Sequence, residues 1–397
     1  MNKLFNDYKL VRRIKWGIYY LFRPFIILEH KIYSKIKKGK RVRRLFANTG
    51  NISLINSLAI IKETGNYNNY IDTLIIDPGK GRQEFYKKQL EIASLHDFKL
   101  IVNELGFAAG VQAVLHNQFM FDEIYMLNHP MFINKLLPLY PNAKIILIDE
   151  GAGSLLNYDS DKIQNLKYFK THKYLNKIDF IGLDCNNNIQ FQNIDVNKFR
   201  EIANNLSSKC PIEIKFSKEE KVVLYCGIYW EVTGLSKAVF TEIQTKMINE
   251  LINAGYKVLY KPHPRDNEFY GLDENANIEI ISSKYPIELY NLDILALISI
   301  SSSTSLTYPH YWQIPSFSNI VDDALKNNKS DINNLNIIRY IIKQYAPNYQ
   351  ILLKFDVKNI TKEQLKNEIN RFYKNFLNDR PVLSKNQNII QFIKGVK

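Results

Sequence analysis

Cysteine is scarce in this chain: Cys185, Cys210 and Cys226 are the three in 397 residues. They show no metal-ligand spacing, and three cannot all pair with one another. That excludes a disulfide-stapled scaffold and points to a reduced, cytosolic protein. Long apolar runs are lacking too. In the basic N-terminal region the longest uncharged stretch is residues 16–22, far short of the roughly 20 residues a bilayer-spanning helix needs. No clean apolar core with a small-residue cleavage site follows the basic residues, so a cleavable signal is not expected either. The familiar signatures of several enzyme classes are missing: no GxGxxG, no GKS/T loop, no GxSxG elbow, no HExxH and no Cys/His cluster. There is no internal repeat and no low-complexity tract. What is present is a globular composition, 46% hydrophobic and 23% charged, on a chain long enough for two ordinary domains.

The net charge of +14 is unevenly placed. Residues 1–44 hold fourteen Lys/Arg against two acids, Asp7 and Glu29, which leaves about +2 for everything else. Leu10, Val11, Ile14, Ile18, Leu21, Phe22 and Phe25 recur at helical spacing, flanked by Arg12, Arg13, Lys15 and Arg23. Pro24 is expected to kink or end that helix. A basic amphipathic helix with Trp, Tyr and Phe fits an interfacial anchor on an anionic membrane. The plainer alternative is a helix packed on the body of the protein, with Lys35–Lys40 as a solvated linker. No nucleic-acid recognition motif accompanies the charge. Residues 1–42 are therefore assigned as a membrane-associating segment, peripheral on the inner face of the cytoplasmic membrane.

Beyond it, apolar strand-like runs alternate with helical patterns. Arg44-Leu45-Phe46-Ala47 reads as a strand, Asn48-Thr49-Gly50-Asn51 as a turn, and residues 52–61 as a helix. Strands follow at 71–76, 100–102, 123–127 and 145–148, with helices expected near 81–95, 108–119 and 131–137. The stretch 160–215 reads as irregular, the end of one domain plus a linker. Strand-helix alternation resumes at Lys221-Val222-Val223-Leu224-Tyr225-Cys226-Gly227 and continues through a helix at 235–254 and strands at 256–260, 278–281 and 294–298. Residues 362–395 read as terminal helices that could cross back to the first domain. The pattern is that of an α/β protein with two Rossmann-like domains, 43–215 and 216–397, facing a central cleft.

Three motifs fall at the C-terminal ends of these strands, where open α/β sheets form their ligand crevices. Asp149-Glu150-Gly151 follows the 145–148 strand. One carboxylate there can take a proton from an attacking hydroxyl, and Gly151 permits close approach of a substrate. His263 sits in Lys261-Pro262-His263-Pro264, rigid between two prolines, with Lys261 and Arg265 adding positive charge. It can hydrogen-bond a phosphate oxygen or protonate it as it leaves. Ser301-Ser302-Ser303-Thr304 leads into a helix whose N-terminus offers N–H groups and hydroxyls together, a phosphate site without a metal. The bland counterparts are a solvated acidic turn, a histidine satisfied in a loop, and one hydroxyl acting as a helix cap. Thr49, Gly50 and Asn51 form a candidate second wall. Asp159-Ser160-Asp161 spells DxD but lies in a polar stretch, so no metal site is assigned.

The order of these motifs resembles that of bacterial sialyltransferases of the B-type glycosyltransferase fold (GT-B). Those carry an acidic D/E-D/E-G motif, an HP motif and a serine motif, here Asp149-Glu150-Gly151, His263-Pro264 and Ser301-Ser302-Ser303. The nearest groups are the lipooligosaccharide sialyltransferases of glycosyltransferase family 52 and the bacterial polysialyltransferases. The resemblance spans residues 45–320 and takes in the Thr49-Gly50-Asn51 turn. It implies CMP-sialic acid as donor substrate with no cofactor, an inverting and metal-independent reaction, and a hydroxyl of a surface glycan, lipooligosaccharide or capsule, as acceptor. It also implies Glu150 as general base, with Asp149 and Glu231 as alternates, His263 assisting departure of the CMP phosphate, and Ser301, Ser302 and Ser303 binding it.

Two other classes remain open from the sequence. A CDP-glycerol or CDP-ribitol polymerase of the teichoic-acid type also carries an HP motif and a serine-rich site, but uses two histidines, and His310 after Pro309 is a weaker second. A relative with another nucleotide-sugar donor is a further enzyme alternative. A membrane-peripheral nucleotide-binding scaffold is the non-enzyme one. Oligomeric state, including a homodimer, is not specified.

Overall fold

The computed structural model describes residues 21, 24–25, 28, 32, 41–48, 51–65, 69–76, 98–102, 121–127, 143–148, 171–175, 189–228, 230–233, 235–263, 272–283, 285–300, 302, 304–319, 339 and 342–379. These form two compact α/β units, divided among the described residues between Ile202 and Ala203. Each unit is built on its own sheet, and every pairing in both sheets is parallel.

The first sheet holds β1 (Val42–Asn48), β2 (Tyr70–Ile76), β3 (Phe98–Val102), β4 (Glu123–Leu127), β5 (Lys144–Ile148), β6 (Thr171–Leu175) and β7 (Ile189–Asn193), in the order β3-β2-β1-β4-β5-β6-β7. Strands covered on both faces need near-continuous apolar runs, which is why β1, β2, β4 and β5 are plain in the sequence. Helix α1 (Asn51–Thr64) follows β1 directly, and Leu54, Ile55, Leu58, Ala59, Ile60 and Ile61 are all buried. Each large side chain so buried stabilises by about 1.5–3 kcal/mol relative to exposure. Helix α2 (Val196–Ser207) closes the series. The β6, β7 and α2 elements correct the irregular reading of 160–215. Thr171-His172-Lys173-Tyr174-Leu175 and Ile189-Gln190-Phe191-Gln192-Asn193 are polar strands at the sheet's end, without the apolar run that marks a central strand.

Arg44 needs a second correction. It is fully buried, and it is the register partner of Asp72 on β2. Its Nε and Nη2 donate to the two Asp72 oxygens at 2.6 and 2.8 Å, Nη1 donates to Thr64 Oγ1 at 2.9 Å, and the guanidinium lies 3.8 Å from the Tyr70 ring centroid. Arg44 therefore belongs to the core and not to the basic surface of the N-terminal segment. In that segment the helix does not end at Pro24, since Phe25, Leu28 and Ile32 are helical beyond it.

The second sheet holds β8 (Val222–Cys226), β9 (Lys257–Lys261), β10 (Ile278–Ile280), β11 (Ala296–Ser299) and β12 (Ser316–Ser318), in the order β10-β9-β8-β11-β12. Every residue of β8 is buried. Helix α3 (Lys237–Ala254) is capped at its start by the Ser236 side chain, which accepts from the Val239 N–H. It stops at Gly255, whose φ of 106° only glycine adopts cheaply. Phe240, Met247, Ile248 and Leu251 of α3 pack in one core with Val223, Tyr225, Val258 and Ile298 of the sheet. Helix α4 (Thr304–Trp312) follows β11, and α5 (Lys362–Asn378) comes last, opened by a Thr361/Gln364 capping box. Leu365 and Ile369 of α5 lie in this same core. Helix α5 thus packs on its own unit, and the rest of the expected terminal helices, residues 380–395, lies outside the described residues. The chain entering this unit is pinned to it. Glu279 accepts the N–H groups of Lys215 and Phe216, and Tyr290 Oη donates to the Cys210 carbonyl at 2.7 Å. The helices expected at 81–95, 108–119 and 131–137, like residues 380–397, lie outside the described residues.

Candidate active site

Parallel register puts the ends of the second unit's strands on one level. Cys226 on β8 pairs with Lys261 on β9 and with Ser299 on β11, and Ser299 pairs with Ser318 on β12. From β8 the chain order runs one way to β9 and β10 and the other way to β11 and β12. The boundary between β8 and β11 is therefore the switch point of the sheet, the place where such sheets bind ligands. His263 stands two residues beyond this row on the loop after β9. Ser302 stands three beyond it on the loop after β11. With strands about 4.8 Å apart, the ends of β9 and β11 are roughly 10 Å from each other, the scale of a nucleotide phosphate with its sugar.

The chain can come close here because Gly227 ends β8. Its N–H donates to the Lys261 carbonyl at 2.9 Å, and a Cβ at this position would stand 2.8 Å from Tyr260 Oη. Lys261 is 6% exposed, so a cation is held within the strand end itself. Cys226 lies beside it. Burial raises its thiol to about 12, with Lys261 opposing the shift and Glu288 adding to it. Cys226 is thus a protonated, inert core group.

Ser302 is held by the hydroxyls around it. Ser299 Oγ and Ser305 Oγ are 2.5 Å apart, the Ser302 N–H donates to Ser299 Oγ, and Ser302 Oγ both accepts from the Thr304 N–H and donates to Thr304 Oγ1. Thr304 Oγ1 and Thr307 Oγ1 donate in turn to Glu288 Oε1 at 3.2 and 3.1 Å. Thr304 is buried and turned inward. The helix it opens brings a positive dipole end to the loop. His310 belongs to the other end of α4, six residues and about 9 Å along the axis from Thr304, with its ring 5.1 Å from that of Tyr311. It does not join the serine loop.

Glu288 escaped the sequence reading. It sits in the 3-10 turn Ile287–Leu289, is 6% exposed, and its carbonyl accepts from Trp312 Nε1 at 3.0 Å. The available signal was an acid isolated in the apolar turn Pro286-Ile287-Glu288-Leu289-Tyr290, one helix-length before the serine helix.

In the first unit β5 ends at Ile148, immediately before Asp149-Glu150-Gly151 and level with Leu127 on β4. Asn51 is the first residue of α1, and Thr49-Gly50 falls in the sequence between β1 and this helix. The switch point of this sheet lies between β1 and β4. Thr49, Gly50, Asp149, Glu150, Gly151, Pro264, Ser301 and Ser303 themselves lie outside the described residues, as does Asp159-Ser160-Asp161. Glu231 is in the 3-10 turn Trp230–Thr233, which is held by Thr233 Oγ1 donating to the Trp230 carbonyl and by Arg339 Nη2 donating to the Thr233 carbonyl, both at 2.6 Å. Among the described residues no three His, Cys, Asp or Glu side chains are grouped to hold a metal ion, and no helix is long and apolar enough to cross a membrane.

No curated protein matches the chain significantly. Among solved structures it is similar to the glycotransferase of kitacinnamycin, at 7% identity over 90% of this chain and 94% of that one, with a TM-score of 0.47. It is similar also to the calicheamicin glycosyltransferase, at 8% identity over 90% and 99%, TM-score 0.46. A third is the UDP-GlcNAc 2-epimerase from Neisseria meningitidis, at 12% identity over 85% and 100%, TM-score 0.48. The family model described as alpha-2,8-polysialyltransferase matches residues 92–321, a span that includes Asp149-Glu150-Gly151, His263-Pro264 and the serine loop. With more than half its length matched, this chain belongs to the alpha-2,8-polysialyltransferase family and is a glycosyltransferase of the sialyltransferase type.

Proposed function

We propose that the protein transfers sialic acid from CMP-sialic acid to a hydroxyl of a bacterial surface glycan, inverting the anomeric centre and using no metal ion. The observation that carries this is the common level of the β9 and β11 ends. It supports His263 and the serine loop acting on one leaving group. CMP departs as a phosphate monoester, so charge builds on the phosphate as the bond to the sugar breaks. The α4 N-terminus, the loop donors, Lys261 and the His263 imidazole offset that charge, the role a divalent ion fills elsewhere. His263 donates a hydrogen bond or a proton to the departing oxygen. Glu150, with Asp149 and Glu231 as alternates, takes the proton of the acceptor hydroxyl as it attacks from the opposite face. One carboxylate suffices because the sialyl centre is already cation-like. The family description favours a sialic acid end of a growing chain as acceptor; a lipooligosaccharide terminus is the other outcome.

The N-terminal segment supports work at a membrane surface. Leu21, Phe25, Leu28 and Ile32 are spaced four, three and four residues apart on a helix, which puts them on one face, and they are 50% to 71% exposed. With the Lys/Arg excess of residues 1–42, this face fits the anionic inner leaflet of the cytoplasmic membrane, each cation adding about 1 kcal/mol near the surface. Deleting residues 1–38 is expected to abolish sedimentation with anionic liposomes while soluble activity persists; unchanged sedimentation overturns the anchor.

The test of the chemistry is a donor assay. With CMP-sialic acid and an oligosialic acceptor, CMP release and longer chains are expected, undiminished by EDTA. Turnover of CDP-glycerol without turnover of CMP-sialic acid would replace this function with the teichoic-acid type. Nucleotide binding without any turnover would leave a scaffold.

A further inference from the structure

Glu288, Thr304 and Ser302 form one line of hydrogen bonds rooted on a buried acid. A carboxylate oxygen offers only lone pairs, so Thr304 and Thr307 both donate to Glu288 Oε1. A threonine hydroxyl has a single hydrogen. With that hydrogen on Glu288, the Thr304 oxygen can only accept, and Ser302 Oγ donates to it at 3.0 Å. The acid thus sets the direction of each bond outward along the line.

Ser302 is held at every other point as well. Its N–H donates to Ser299 Oγ at 3.2 Å, its Oγ accepts from the Thr304 N–H at 3.3 Å, and its carbonyl accepts from the Ser305 N–H at 3.1 Å. A serine has two donors, N–H and O–H, and both of these are engaged inside the loop. An ionised phosphate accepts hydrogen bonds and gives none, so it needs donors that Ser302 does not have to offer.

We propose that Glu288 and Thr304 are positioning residues that lock Ser302 as an internal staple of the serine loop, so that the Ser302 hydroxyl does not itself hold the donor's phosphate. This rests on the phosphate role given to the loop above. Its functional value is preorganisation: a Ser302 already fixed loses no ordering entropy when the anion arrives.

The experiment uses CMP as the probe, with calorimetric affinity and the melting temperature of the ligand-free full chain as separate readouts. Thr304→Val keeps the shape and removes the hydroxyl. It is expected to lower the melting temperature and weaken CMP binding by about three- to tenfold, the worth of one hydrogen bond. Thr304→Ser restores the hydroxyl and should restore both readouts. Ser302→Ala is expected to lower the melting temperature, and adding it to Thr304→Val should cost little more in either readout, because the two act through one bond. Glu288→Gln, whose amide can present a donor to Thr304, should behave as Thr304→Val does; if it does not fold, the Thr304 pair decides alone. Ser301→Ala and Ser303→Ala should weaken CMP binding at unchanged melting temperature. The staple is overturned if Ser302→Ala melts as wild type and weakens CMP additively with Thr304→Val, or if Thr304→Ser fails to rescue. Should no serine variant change CMP affinity, the phosphate role of the loop falls, while the Ser302 and Thr304 melting cycle still judges the staple.

Discussion

The two sheets share the order of their first five strands and bury charge in opposite ways. In the first, Arg44 and Asp72 face each other across β1 and β2, four residues short of the strand ends, with a bidentate pair and an aromatic ring over the guanidinium. That pair is closed on itself. In the second, Glu288 is buried beside the carboxyl ends of the strands, and its partners are hydroxyls that lead outward to the serine loop. A desolvated charge is costly in either place and must be satisfied. Where satisfaction is complete and internal, the charge belongs to the framework. Where it runs along hydroxyls to a strand end at the switch point, the same requirement orders a binding loop.

The contrast predicts that changes at the second sheet's edge act on rate and changes within the first sheet act on stability. The largest effect is expected for His263→Ala. Transfer should fall by about 10²- to 10⁴-fold, the usual contribution of a general acid, with the melting temperature unmoved. Steady-state kinetics beside a thermal melt checks this. Full activity in the variant would take the histidine out of the chemistry.

Arg44→Met should do the reverse. Leaving Asp72 buried and unpaired is expected to cost about 3–5 kcal/mol in denaturant unfolding, while the folded fraction keeps its turnover number. Removing both charges, as Arg44→Met with Asp72→Leu, should recover most of the loss, since well-packed apolar groups replace such a pair at little cost. A single variant as stable as wild type would show that the pair is not what holds β1 to β2.

How much of this was legible beforehand follows the same division. The strands buried on both faces were readable because parallel sheets demand unbroken apolar runs, as in Val222-Val223-Leu224-Tyr225-Cys226. β6, β7 and β12 were not, because a polar strand carries no apolar run to detect. Arg44 was misjudged because a charge count knows nothing of a partner 28 residues away. On the site side, His263 and the serines announced themselves by following apolar strands. Glu288 did not, since one acid in a short turn is common, and only the fold brings it to Thr304 and Thr307. The order of the motifs carried the family, and for the HP and serine motifs register shows what the order means: parallel strands set the ends of β9 and β11 in one row.

Gly227→Ala probes the boundary between framework and edge. A Cβ there would stand 2.8 Å from Tyr260 Oη and 3.3 Å from the Lys261 carbonyl, so the buried Tyr260 ring must shift and the β9 end give by a few tenths of an ångström. Overpacking of this kind is expected to cost about 1–3 kcal/mol. Because the displaced strand leads to His263, activity should fall with stability, unlike in either variant above. A stable Gly227→Ala with wild-type activity would mean that the strand ends are not tightly set.

The smallest effect tests whether the framework of the second unit is itself silent in rate. Ser236 caps α3, and the helix packs Phe240, Met247 and Leu251 against the sheet without reaching the β9 or β11 loops in sequence. Ser236→Ala removes one acceptor from an exposed helix start, expected to cost about 1 kcal/mol. The unfolding free energy should fall by that amount, through a lower denaturant midpoint at unchanged slope, and transfer rates should stay within error. If the rate dropped while the midpoint barely moved, the second sheet could not be divided into a supporting core and a working edge. The position of a residue along its strand would then no longer predict what its loss does.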